Sequence, residues 1–148
     1  MDPTLVAFSK THPALARALA ERAYAEPTPV QAAILAEDTA GRDLLVSAQT
    51  GSGKTVAFGI AVAAEVIGAA DTLGPAGAPL ALVVAPTREL ALQVERELAW
   101  LWEHAEARIT ACVGGMDPRA ERRRLDAGAH IVVGTPGRLR DHLERGSL

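Results

Sequence analysis

Four short apolar runs punctuate the chain: "DLLVS" at 43–47, "LALVVA" at 80–85, "RITACV" at 108–113 and "HIVVG" at 130–134. Runs this short, apolar on both faces, read as strands buried on both sides of a sheet. The segments between them space their apolar residues at helical intervals, which predicts helices over about 54–67, 88–102 and 118–125. Strand alternating with helix specifies an α/β protein whose mostly parallel sheet carries helices on both faces. Two further helices are expected before the first strand, near 13–23 and 29–36, and one after the last, near 136–144. Thr28-Pro29, Asp117-Pro118 and Thr135-Pro136 mark helix starts, because a capping side chain followed by proline's fixed φ suits the first turn. The glycine- and proline-rich stretch "GAADTLGPAGAPL" at 68–80 reads as a surface loop too short to divide domains.

Composition adds limits. A chain of 148 residues, 49% hydrophobic and 22% charged, is expected to form one compact domain. No apolar run approaches the length of a membrane span and no basic-then-apolar leader opens the chain, so a cytoplasmic protein is expected. Cys112 is the single cysteine, and its neighbours Ala111 and Val113 predict an inert buried thiol. With a net charge of −3, any contact to nucleic acid must come from a local basic patch or from backbone amides.

The densest chemistry lies after the first apolar run. Ala48-Gln49-Thr50-Gly51-Ser52-Gly53-Lys54-Thr55 matches the phosphate-binding loop of nucleotide-binding proteins, with alanine in place of its first glycine and with strand before and helix after. Small residues let the backbone curl until successive N–H groups converge at the positive end of a helix, where an anion is favoured. Lys54 is placed for the β- and γ-phosphates of a nucleoside triphosphate, and the Thr55 hydroxyl for Mg²⁺.

Around this loop stand "EPTPVQ" (26–31), "APTRELALQ" (85–93), "VGG" (113–115) and "VVGTPGRL" (132–139). Together they resemble the DEAD-box family of ATP-dependent RNA helicases over nearly the whole chain, from Phe8 to Leu148. The resemblance implies a RecA-like first helicase domain, with a Q motif region at 8–31 and the phosphate loop at 48–55. It also implies that Gln31 reads adenine while Phe8 stacks on it. One RNA strand would be gripped along 86–90 by Pro86, Thr87 and Arg88, at Gly114 and Gly115, and along 135–138 by Thr135, Pro136, Gly137 and Arg138. Contacts of this kind hold sugar and phosphate, so binding should ignore sequence and weaken with salt. The family usually has glycine where Ala23 precedes Tyr24, which bears on the turn there.

Plainer readings stand beside these. Thr28-x-x-Gln31 is also a capping box that satisfies a helix N-terminus without a ligand. Glu89 sits well with a helix dipole. Arg119, Arg122, Arg123 and Arg124 form either a solvated face, with Arg122 and Asp126 paired four residues apart, or an RNA grip. Trp100 and Trp102 cannot share a helix face, so at least one belongs in the core. His12, His104, His130 and His142 are too scattered to propose a metal site.

Hydrolysis needs an aspartate for Mg²⁺ and a carboxylate for the attacking water, and no apolar run here is followed by Asp-Glu. In the resembled family the Asp-Glu-Ala-Asp motif and a second RecA-like domain come later. The chain is therefore expected to be a piece of a helicase that binds nucleotide and does not turn it over. The alternative is a stand-alone nucleotide- or RNA-binding module. A different phosphate-loop enzyme, such as a kinase, leaves the other motifs unexplained.

Overall fold

The computed structural model describes residues 2–36 and 38–148. In chain order the elements are α1 (Pro3–Ala7), α2 (Pro13–Glu21), α3 (Pro29–Ala36), α4 (Lys54–Val66), β1 (Ala81–Val84), α5 (Arg88–Leu101), a 3₁₀ turn (Glu103–Ala105), β2 (Ile109–Cys112), α6 (Pro118–Asp126), β3 (Ile131–Gly134) and α7 (Pro136–Glu144). The elements group into two compact units, one of residues up to Thr72 with Trp100–Glu106, the other of Leu73–Ala99 with Ala107–Leu148.

The first unit is helical. Proline starts helices where the preceding side chain can cap. Asp2 accepts from the Thr4 amide at 2.8 Å, and His12 Nδ1 accepts from the Ala14 amide at 3.1 Å. α2 ends in a Schellman motif, with the Tyr24 amide donating to Leu19 O at 3.1 Å and the Ala23 amide to Ala20 O at 3.0 Å. Ala23 takes φ +56° to close it. Glycine adopts that conformation freely, and a β-carbon there costs about 1 kcal/mol. The chain keeps the turn despite the alanine. Phe8, Leu15, Leu19, Leu101 and Trp102 are fully buried here. Of the two tryptophans Trp102 is the core residue, whereas Trp100 lies beside Tyr24, ring centroids 5.6 Å apart, with the Arg22 guanidinium 4.6 Å over its face.

The first expected strand does not form. Residues 42–49 have no regular structure, Leu44 and Val46 are exposed, and Leu45 is completely so. An extended segment becomes a strand only by joining a ladder, and 43–47 joins none among the described residues.

The second unit holds a three-stranded sheet of order β1-β3-β2, parallel throughout. Val84 and Cys112 both pair with Gly134, so all three strands finish at one edge. β3 is buried along its whole length; β1 alternates, with Leu82 and Val84 exposed. Cys112, Leu125, Ala129, Val132 and Leu139 form its core. The second half of the loop before β1 is pinned: the Ala129 amide donates to Gly77 O at 3.1 Å, and His130 Nε2 to Gly74 O at 2.8 Å. A methyl on Gly128, at φ +92°, would lie 2.3 Å from Ala76 O, so the chain turns there on glycine.

Candidate functional site

In the first unit the phosphate loop is a turn through Thr50 and Gly51 that enters α4 at Lys54. Gly51 and Gly53 take φ +79° and +84°, so two of the small residues are demanded by backbone conformation. The Ser52 amide donates to Gln49 O at 3.2 Å, and Lys54 Nζ donates to Ala48 O at 2.6 Å, folding the lysine over its own loop. Three observations suit an anion here. The Ser52 hydroxyl is buried with no partner, Gly53 offers α4 no side-chain cap, and α4 has no acidic residue in its first turn. Thr55 is half-buried in that first turn.

Gln31 is fully buried against this loop. Its Oε1 accepts from the Thr28 amide at 3.0 Å, its own amide donates to Thr28 Oγ1 at 3.5 Å, and its Nε2 donates to Gly53 O at 3.3 Å. The capping box is therefore realised, with one arm extended to the phosphate loop. A β-carbon on Gly53 would stand 2.4 Å from Gln31 Nε2. Phe8 is fully buried and presents no open face. Beside the loop lies a cleft of about 900 Å³ whose lining includes the apolar Val30, Ala33, Ile34 and Leu44 as well as the charged Arg42 and Asp43. Its apolar side is open, the kind of wall that takes a flat ring.

In the second unit, three loops follow the ends of the three strands and meet at one edge, where ligands bind in α/β sheets. After β1, Pro86, Thr87 and Arg88 are exposed, and Thr87 Oγ1 caps α5 by accepting from the Leu90 amide at 3.2 Å. After β2, Gly114 and Gly115 are exposed; Gly115 has φ +80°, and a β-carbon there would lie 2.7 Å from Arg88 Nη1. After β3, Pro136 and Gly137 are exposed, and the Thr135 amide donates to Cys112 O at 3.1 Å. Arg138 turns inward. Its Nη1 donates to Met116 O at 3.1 Å and to Glu121 Oε1 at 2.8 Å.

Glu121 is the residue that sequence reasoning passed over. It is fully buried, and besides Arg138 it accepts from the Val113 amide (Oε2, 2.9 Å) and from His142 Nε2 (Oε1, 2.8 Å). Among four arginines it looks like a surface residue, yet it stands four positions before buried Leu125 and so shares that face of α6. Cys112, Glu121 and His142 bring ligand atoms within 4.8 Å of one another, a meeting the scattered histidine positions did not suggest. The group is closed by its own ion pair with Arg138, and burial, with the Glu121 charge second, pushes the Cys112 thiol up to about 12. The arginines of α6 behave mostly as a solvated face, and Arg122 does pair with Asp126 at 3.8 Å.

A glycine-kinked phosphate loop entering a helix, and a parallel sheet with its loops gathered at the carboxyl edge, define a RecA-like α/β nucleotide-binding protein. Residues 28–148 match the DEAD/DEAH box helicase family model, and the chain belongs to that family. It is 42% identical over 122 residues to the ATP-dependent RNA helicase eIF4A of Eremothecium gossypii, covering 82% of this chain and 29% of that one. It is 39% identical over 134 residues to the DEAD-box ATP-dependent RNA helicase CshA of Bacillus licheniformis, covering 90% of this chain and 26% of that one. The crystal structure of the yeast DEAD-box splicing factor Prp28 superposes with a TM-score of 0.83 at 31% identity, over 95% of this chain and 34% of that one. The chain thus spans about a quarter to a third of the length of these relatives.

Proposed function

We propose that this chain is the ATP-binding portion of an ATP-dependent RNA helicase, and that by itself it binds nucleotide and RNA without turnover. The phosphate loop carries the reading, because its free helix N-terminus, unpartnered Ser52 hydroxyl and Lys54 form a cradle for phosphate oxygens. Bound ATP would supply the phosphoanhydride bond. Lys54 would exchange Ala48 O for phosphate, and the Thr55 hydroxyl would hold Mg²⁺. Gln31 would read adenine by giving up its bond to Gly53 O, since its acceptor and donor side by side match the base edge. That exchange links the base to the phosphate loop. Phe8 would need to leave the core to stack, so the apolar cleft beside the loop is the better wall for the ring.

RNA would lie across the carboxyl edge of the sheet, held by exposed backbone at Gly114, Gly115 and Gly137, by Thr87 and by Arg88. Arg138, neutralised by Glu121, would act on this track through the loops it ties. Turnover is not expected, because the sequence contains no Asp-Glu pair to complete the magnesium site and position water.

Titration of the 148-residue chain with fluorescent ADP, GDP and single-stranded RNA tests the reading. Lys54→Ala should weaken ADP by about tenfold or more, the scale of one charge-assisted hydrogen bond. ADP should outcompete GDP. Equal affinity for the two would remove Gln31 as base reader, and RNA-stimulated ATP turnover abolished by Lys54→Ala would refute the inactive fragment.

A further inference from the structure

Resting on the RNA reading above, we infer that Glu121 is the positioning residue of the RNA track: one buried carboxylate locks the loop after β2 and the loop after β3 into a single grip. Its two oxygens divide the work. Oε2 holds the Val113 amide, immediately before Gly114 and Gly115, while Oε1 holds Arg138 and His142, in the first and last turns of α7. The Arg138 guanidinium completes the circuit by donating to Met116 O, immediately after the glycine pair. The exposed Gly114-Gly115 backbone is thus clamped on both sides, and from the direction of the Thr135–Arg138 loop.

The physical case rests on burial and charge. Glu121 is 0% exposed, and a carboxylate in that position is tolerated only with a charged partner and its lone pairs filled. Arg138 supplies the charge, and three donors occupy three of the roughly four lone-pair sites. A surface carboxylate for the helix dipole would need none of this. A backbone grip on phosphates depends on amides held at fixed spacing, because glycines have no side chains with which to adapt. Arg138 also ties the two loops directly through Met116 O, and Glu121 holds that guanidinium and the Val113 amide together.

The test compares Glu121→Gln with the unaltered chain by hydrogen exchange and by RNA affinity across salt. The amide keeps the size and can still accept from Val113, but it loses the charge facing Arg138 and sets an N–H₂ against donors. We expect exchange to quicken together over 113–117 and 135–138 while β1 stays protected, and RNA affinity to fall about tenfold or more. The salt slope should also shrink by about 0.7 for each phosphate that the loosened loops release. A merely structural role would lower the folded fraction and leave the slope of the folded protein unchanged. If Glu121→Gln does not fold, His142→Gln, which retains a donor for Oε1, and His142→Leu, which does not, form the second pair. Only the leucine variant should loosen both loops. Unchanged exchange and slope in a folded Glu121→Gln or His142→Leu would overturn the proposal. RNA binding absent from the unaltered chain would instead sink the RNA reading, and exchange alone would then decide whether the two loops move as one.

Discussion

Two segments of this molecule follow the same plan, an apolar run, a short loop of small residues and a helix, yet they end differently. In the second unit "HIVVG" becomes β3, paired on both sides and wholly buried, and Thr135 leads directly into α7. In the first unit "DLLVS" joins no strand among the described residues, with Leu45 fully exposed, and the phosphate loop behind it is held by Gln31 and by its own lysine. A strand is a relation between segments, and apolarity only makes a run available for it. The loop behind a laddered strand is carried by the ladder; the phosphate loop has to be stabilised from its helix and from Gln31.

Charge placed in each run probes the contrast most strongly. Val133→Asp puts an unpaired carboxylate at the centre of the sheet and should cost about 4 kcal/mol or more, whereas Leu45→Asp should stay within about 0.5 kcal/mol in urea unfolding. Equal losses would mean that 43–47 is packed in solution.

Thiol labelling reads the same difference without unfolding. Cys112, pushed up to about 12 chiefly by burial, should react at pH 8 at least about a hundredfold more slowly than a free thiol, and a Leu45→Cys variant should add one site labelled at the free rate. The sign of the linked pH effect follows. Between the ordinary value of 9.0 and about 12 the unfolded chain releases the thiol proton and the folded chain keeps it, so stability falls as pH rises through that window. Cys112→Ala should flatten this decline.

The smallest effects separate the two loops. Gly53 has φ +84° and no room beside Gln31, so Gly53→Ala should cost about 1–2 kcal/mol. Gly137 lies in the first turn of α7 with open space around it, and Gly137→Ala should be neutral or stabilising by up to about 1 kcal/mol. Calorimetric melting of both variants decides it, and a reversed order would mean that the phosphate loop relaxes freely.

Much of this was legible in the residues. Three of four strands, every helix foreseen from spacing and the parallel sheet followed from apolar period and from proline after a capping residue, all of them local signals. α1 and the 3₁₀ turn were too short to show a period. The motifs could be placed at strand ends, but Glu121 could not be chosen among the polar residues of α6, because its partners Val113, Arg138 and His142 lie 8, 17 and 21 positions away. The pairing of Arg138, which the resemblance puts on the RNA strand, with Glu121 is hidden for the same reason.

By itself, then, the sequence determined most of the elements, the phosphate loop and the motifs behind the family resemblance, because each of these rests on residues within a few positions of one another. Only the tertiary structure decided which apolar run found a ladder, that Gln31 reaches the phosphate loop, and that Arg138 faces a buried carboxylate. Those outcomes depend on which distant segments share space, and hydrogen bonds and charges in a dry interior are settled by neighbours in space.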